Sequence, residues 1–262
     1  MKQFKGKYFS VEVKPQFVAS VMEAAGAIDA NDVLFSWTPF KVPTGGNRLI
    51  GITAIVRSAN GTLHSPLLDL YFASQTQGHG GVAACSAPQA IGSLETVMKP
   101  SANPFYNDLI GSAQILADDY THGGHTSVAT TAIGTGGQSP IIMGNAYNAD
   151  CDDSEGFQTV YMAATTPSTP NFHSDVAVNE AGFGAGTQTV ITVSGTDALE
   201  VFAPGDIIHA QDDAVLGTIS TVDSATQITL TAANTEAIVG SDGTADRLYN
   251  IHPMKFILSF EK

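Results

Sequence analysis

Between Thr187 and Ala232 the chain is cut into short runs of alternating character. They are Thr187–Gly195, Val201–Ile208, Val215–Val222 and a fourth run that starts at Thr226. Pro204-Gly205-Asp206 and Asp212-Asp213 mark two of the cuts. Val, Ile and Thr alternate, so one face is apolar and the other hydroxylated, which is the period-2 pattern of half-buried strands. About 45 residues of this kind fold as a small antiparallel barrel or sandwich. The segment reads as a rigid unit with no chemistry in it, and it points the chain toward structural work.

The chain has 262 residues, enough for one large all-β domain or two smaller ones. Charged residues make up only 14%, against a usual figure of roughly 25%. Gly, Ala, Ser and Thr fill the gap, which suits short strands, many turns and contact surfaces of low charge. Charge is unevenly placed. Seven of the eleven basic residues lie within the first 57 positions, and none lies between Lys99 and Arg247. That same interval holds eighteen acidic residues, from Asp108 to Asp246. A net charge of -14 speaks against nucleic acid as a partner, because phosphate neutralisation needs clustered Lys and Arg. No run of eighteen apolar residues is present, so no membrane span is expected. The start is basic and aromatic, without the apolar core of a signal peptide. Cys85 and Cys151 are not in a C-x-x-C pair. A disulfide between them is not implied, and the expectation is two free, buried, small side chains made in a reducing cytosol.

Along the chain, Phe4–Phe17 alternates as an extended arm or first strand that Pro15 ends or places at an edge. Phe17–Ala27 has the composition of a helical turn. Strands are expected at Asp32–Phe40, Arg48–Arg57 and Leu67–Ala73, the last two joined as a hairpin through Asn60-Gly61. Gln75–Ala90 and His122–Gln138 read as Gly-rich loops. Asn107–Tyr120 reads as a short helix or a bulged strand. Ser139–Met143 and Gln158–Ala164 read as strands flanking an acidic loop, Asp150–Glu155. The final run, Arg247–Glu261, places Phe256, Leu258 and Phe260 on one face and needs a sheet to join. The expected architecture is therefore all-β: an antiparallel β-sandwich or barrel-like body with an inserted small β-barrel-like subdomain. Residues 1–182 and 247–262 form the body with its N-terminal arm, and residues 183–246 form the insertion. Gly182, Gly184 and Gly186 on one side, with Gly240 and Gly243 on the other, read as exposed joints.

Candidate sites are few. His122 and His125 stand in an H-x-x-H spacing with Asp118 and Asp119 nearby, a set able to share a metal. Gly123-Gly124 makes this a loop rather than a helix face, and no H-E-x-x-H base accompanies it. Asp150, Asp152 and Ser154 begin like a calcium loop. Glu155 then stands where the turn glycine belongs and Tyr161 where the closing Glu belongs, so an EF-hand is excluded. An irregular cation site at Asp150 and Asp152 remains a candidate. No G-x-S-x-G elbow and no phosphate loop is present. The acids sit in turns rather than in apolar runs where burial raises a pKa. The chain is read as a non-enzyme that needs no cofactor. Trp37, Phe35 and Phe40 read as core or interface anchors.

Several stretches together resemble the head decoration, or cement, proteins of tailed bacteriophages, especially those of marine and cyanobacterial phages. They are Asp29-Ala-Asn-Asp-Val-Leu-Phe-Ser, Arg48–Val56, Leu67-Leu-Asp-Leu-Tyr-Phe-Ala-Ser-Gln-Thr and Ile251–Phe260. Val201–Ile208, with Leu216–Val222 and Gln227–Thr231, is similar to a small β module found in many phage structural proteins, including tail and fibre proteins. The resemblance implies a virion protein, made in the host cytoplasm and placed on the outer surface of the capsid. Its implied partners are the major capsid protein and other copies of itself, as a homo-oligomer taken to be a trimer at symmetry axes. A structural or host-binding role in the tail or fibre is the alternative. The expected capsid contact is the N-terminal arm. Lys2, Lys5, Lys7 and Lys14 are there to meet acidic capsid surface, and Phe4, Tyr8 and Phe9 to act as aromatic anchors.

Overall fold

The last strand organises the first sheet. Met254, Phe256, Leu258 and Phe260 are all buried, while Lys255, Ile257, Ser259 and Glu261 between them are not. A one-residue slip would turn every one of these side chains to the wrong face, so the alternation fixes the register. The computed structural model describes residues 7–17, 22, 28, 30, 32–58, 60–74, 109–134, 141–144, 151–152, 156–210 and 214–262. Among these the protein is all-β, built from antiparallel sheets in a sandwich or barrel-like fold. No helix among them is long and apolar enough to cross a membrane.

In the first sheet, β17 (Met254–Glu261) lies between β1 (Tyr8–Val13) and β3 (Asn47–Arg57). Next to β3 come β7 (Thr126–Ala132) and then β6 (Tyr120–Gly123), with β8 (Ile141–Met143) on the first residues of β3. The pairing of β17 with β3 shifts between Ser259 and Phe260, opposite Gly51 and Leu49. Ile50 is the extra residue. This bulge lets both Leu49 and Ile52 face the core although three positions separate them. The second sheet runs in the order β2 (Asp32–Pro43), β10 (Phe157–Thr166), β4 (Leu68–Ala73) and β5 (Leu109–Ile115), with β9 (Cys151–Asp152) beside β10. Both sheets feed one core, where Phe17 meets Phe172 edge-on at 5.2 Å, Phe35 meets Phe256 at 5.6 Å and Phe40 meets Phe72 edge-on at 6.4 Å. Burying such a side chain contributes about 1.5–3 kcal/mol.

Two expectations are corrected here. The stretches around Leu49–Val56 and Leu67–Ala73 are not a hairpin: β3 pairs with β17, β7 and β8, whereas β4 pairs with β10 and β5. The Asn60-Gly61 turn, with Gly61 at φ 76°, lies on the link between the two sheets. The expected loop from His122 onward is instead a hairpin of β6 and β7 that turns at Gly124-His125, with Gly124 at φ 62°. Asn107–Tyr120 resolves, where described, into strand β5 and a single 3-10 turn at Ala117–Asp119. Phe17–Ala27 and Gln75–Ala90 lie wholly or mostly outside the described residues, as does Cys85.

The third sheet comes from one continuous stretch. Its order is β11 (Ala177–Val178), β12 (Val190–Ser194), β15 (Gln227–Leu230), β14 (Val215–Ser224), β13 (Ile207–His209) and β16 (Tyr249–Asn250). It encloses a second apolar cluster that runs from Val176 to Leu248 in sequence. Sheet and cluster thus extend past 183–246 at both ends, because Val176, Val178 and Leu248 bury their side chains in that cluster. The chain enters and leaves side by side: the Leu248 N–H donates to the Val176 carbonyl at 2.9 Å, and Ser174 Oγ donates to the Leu248 carbonyl at 2.7 Å. Leu248 belongs to the second core and Tyr249 to the first, as period-2 alternation allows for neighbours. The glycines expected as joints lie within the unit. Phe183 and Ile238 form a bridge there, and a Cβ on Gly240 would stand 1.9 Å from the Glu180 carbonyl oxygen. Glycine at 240 is what lets the two backbones touch.

Candidate functional site

The expected contact region includes β1, which among the described strands pairs with β17 at the end of its sheet. Lys2, Phe4 and Lys5 lie outside the described residues. Alternation sends Tyr8, Ser10 and Glu12 outward and turns Phe9, Val11 and Val13 toward the core. Phe9 is accordingly a fold anchor: its ring stacks on Phe260 at 5.0 Å with 13° between planes. Tyr8 is the side chain that stands out, with 61% exposure. Lys7 Nζ lies 5.3 Å from the Tyr8 ring centre and 2.8 Å from Glu261 Oε1. The hydrogen bond from Lys7 holds the Glu261 carboxyl below the usual carboxylate range, and the reciprocal bond raises Lys7. Lys14 is 2.9 Å from Glu12 Oε1, and Lys255 is 3.6 Å from Glu12 Oε2. The Lys14 hydrogen bond lowers the Glu12 carboxyl. The arm's two described lysines are therefore each matched by a carboxylate of the same sheet. Exposed pairs of this kind add little stability, because water screens them.

Of the metal candidates, His122 and Asp119 make hydrogen bonds within the fold. His122 on β6 places Nδ1 2.9 Å from Ser127 Oγ and Nε2 3.4 Å from Ser65 Oγ. His125 sits at the hairpin turn, where its carbonyl accepts from the Ser58 N–H at 3.1 Å. Asp119 accepts from the Leu116 N–H at 2.9 Å and closes the 3-10 turn that also holds Asp118. Asp150 lies outside the described residues, and of Asp152 only the backbone is described. Among the described residues no three His, Cys, Asp or Glu side chains form a metal-holding group. Trp37 is half-buried on β2, whereas Phe35 and Phe40 are core.

Sequence spacing gave no sign of the junction between the first and third sheets. Arg57, the last residue of β3, forms an ion pair with Asp206, which lies 149 positions away. Asp206 also accepts from the Ala203 N–H at 2.8 Å. Burial pushes its carboxyl above the usual range. Arg57, the Ala203 N–H and the Asn250 side chain act in the opposite direction. This corrects the expectation that acids in turns stay free of burial: Pro204-Gly205-Asp206 is a turn, but it is pressed against β3. Next to the pair opens a cleft of about 280 Å³ whose lining includes Lys14, Arg57, Asp206, His252 and Lys255. Comparison with family models, curated proteins and solved structures finds no match for this chain.

Proposed function

We propose that this protein is a structural component of a tailed-phage virion, a decoration protein that binds the outer surface of the head and ties neighbouring capsomers together. Its partners are the major capsid protein and further copies of itself, taken as a trimer at symmetry axes. The observation that carries the reading is Tyr8, an exposed aromatic fixed on a rigid edge strand with a lysine beside its ring. Tyrosines so held lose little conformational freedom on contact and are frequent anchors of protein interfaces. Lys7 and Lys14 are already matched within the sheet, so the aromatic rather than the lysines supplies the contact energy. The likeness to decoration proteins in the strands around Arg48–Val56 and Leu67–Ala73 supports the same reading.

The mechanism is mass action. A protein that binds assembled shell and not free subunits stabilises the assembly by its binding free energy, copy by copy. Copies joined to one another bind the lattice as a set, and each raises the effective concentration of the next. The test is sedimentation of purified protein with expanded, undecorated heads and with unexpanded shells. Saturable binding to expanded heads, with a raised shell melting temperature, is expected. Tyr8→Ala should weaken it about 30-fold, the loss of roughly 2 kcal/mol at an anchor position. Failure to bind either shell, with the protein recovered in purified tails, would replace this reading with the tail or fibre one.

A further inference from the structure

We infer that the cleft between the first and third sheets receives an acidic peptide segment of a partner protein. The inference rests on the cleft alone and stands with or without the virion reading. The chain holds eleven basic residues against twenty-five acidic ones, and three of the eleven meet at this opening: Lys14, Arg57 and Lys255. In a molecule of net charge -14 this is a local reversal of sign, and an incoming carboxylate is drawn to it.

The three cations are paired with two carboxylates and keep donors to spare. Lys14 and Lys255 share the single Glu12. Each ammonium has three N–H groups, and the Arg57 guanidinium has five, of which Nη1 goes to Asp206. His252 favours a peptide over an acceptor-only anion such as sulfate. Its Nδ1 lies 2.9 Å from the Pro15 carbonyl oxygen, which can only accept, so Nδ1 carries the hydrogen. In the neutral ring Nε2 is then an acceptor, and no hydrogen-bond partner of it is found among the described residues. A peptide offers both halves of this pattern, carboxylates for the lysines and an amide N–H for His252. Sulfate offers only acceptors, and hydrogenphosphate a single O–H beside its acceptor oxygens. Ile55, Pro204 and Pro253 add apolar wall for aliphatic stems. At about 280 Å³ the cleft is just below the usual size of small-ligand sites, roughly 300–1,000 Å³, which suits one or two side chains of a passing segment.

The test is calorimetric titration of the full chain at low salt with hexaglutamate, alongside hexaglutamine and inorganic phosphate. Saturable binding of hexaglutamate alone is expected. Lys14→Gln and Lys255→Gln, both at exposed side chains, should each weaken it about two- to fivefold. Glu12→Gln releases both ammonium groups and should tighten binding by a similar factor. Lys41→Gln, on β2 away from the cleft, should change nothing. Absence of saturable hexaglutamate binding would overturn the inference. So would phosphate binding as tightly as the peptide, or Lys41→Gln costing as much as the cleft variants. Hexaglutamate binding by a protein that ignores phage shells would leave the cleft standing and count against the decoration reading alone.

Discussion

Replacing Arg57 with methionine keeps much of the side chain's length and removes its charge, which strands the Asp206 carboxylate at the junction of two sheets. Removing one partner of a fully buried ion pair costs about 3–5 kcal/mol. Here the two side chains keep 30% and 17% of their exposure, so water screens part of the loss. The expected cost is about 2 kcal/mol, or a fall in Tm of roughly 4–8 °C for a chain of this size. The pH dependence is the sharper signature. Burial already raises the Asp206 carboxyl, and Arg57 is the largest influence pulling it back. Without Arg57 it rises further. A carboxyl with a higher pKa in the folded state holds its proton more tightly there. Folding therefore gains stability as pH falls through that value toward the unfolded carboxyl's own, and loses it as pH rises back through it. The penalty of Arg57→Met should be greatest at neutral pH and shrink as pH falls to about 4, the ordinary carboxylate value. Urea denaturation followed by far-ultraviolet circular dichroism at the two pH values measures it. Adding Asp206→Asn to Arg57→Met should recover part of the loss, which a double-mutant cycle quantifies. A penalty under about 0.5 kcal/mol, or one equal at both pH values, would refute the argument.

Asn234 is fully buried in the third-sheet unit. Its Oδ1 accepts from the N–H groups of Thr187 at 3.1 Å and Gln188 at 2.9 Å, and its Nδ2 donates to the carbonyls of Gly184 at 3.0 Å and Glu236 at 2.6 Å. Asn234→Ala should cost about 2–3 kcal/mol in urea denaturation, since water reaches part of what is released. Asn234→Asp should do no better, because its second oxygen would face two carbonyls. At the β1 edge, Lys7 lowers the Glu261 carboxyl, so that pair stabilises the fold above the ordinary carboxylate range and loses its effect as pH falls through the folded-state value. A carboxyl-carbon NMR titration should place the Glu261 midpoint below the usual range and return it toward normal in Lys7→Gln. An unchanged midpoint would remove the pair from the account.

The parts of this fold that could be read from the chain are those where alternation carries strong contrast. In β17 Phe256, Leu258 and Phe260 are spaced by two with Lys255, Ser259 and Glu261 among the residues between and beside them, and in β12 and β15 Ile191, Val193, Ile228 and Leu230 are spaced likewise around Thr192 and Thr229. The hairpin of β6 and β7 escaped because its inward positions are small or polar: Ser127 and Ala129 are buried, while Val128 between them is 37% exposed. Hydrophobicity there runs against burial, and the adjacent glycines look like a loop. The supposed hairpin of β3 and β4 failed for another reason. A local turn signal says that the chain bends, but not whether the next strand returns to the same sheet. At the candidate site, the outward placement of Tyr8 follows from alternation alone. The cleft does not, since Lys14, Arg57, Asp206 and Lys255 converge from distant parts of the chain and share no spacing for a motif to catch.

The two passages of chain between the cores bear on how the molecule carries force. Strands that enter and leave the third-sheet unit side by side, cross-linked from Ser174 to Leu248 and from Val178 to Asp246, take up a pull on its far end together. Tension divides between two lengths of backbone, and relative sliding must shear several hydrogen bonds at once rather than peel them singly. Arg57 and Asp206 add an ion pair between β3 and the turn before β13. The unit is therefore mounted as a strut, able to pass a load into the first sheet instead of swinging on a tether.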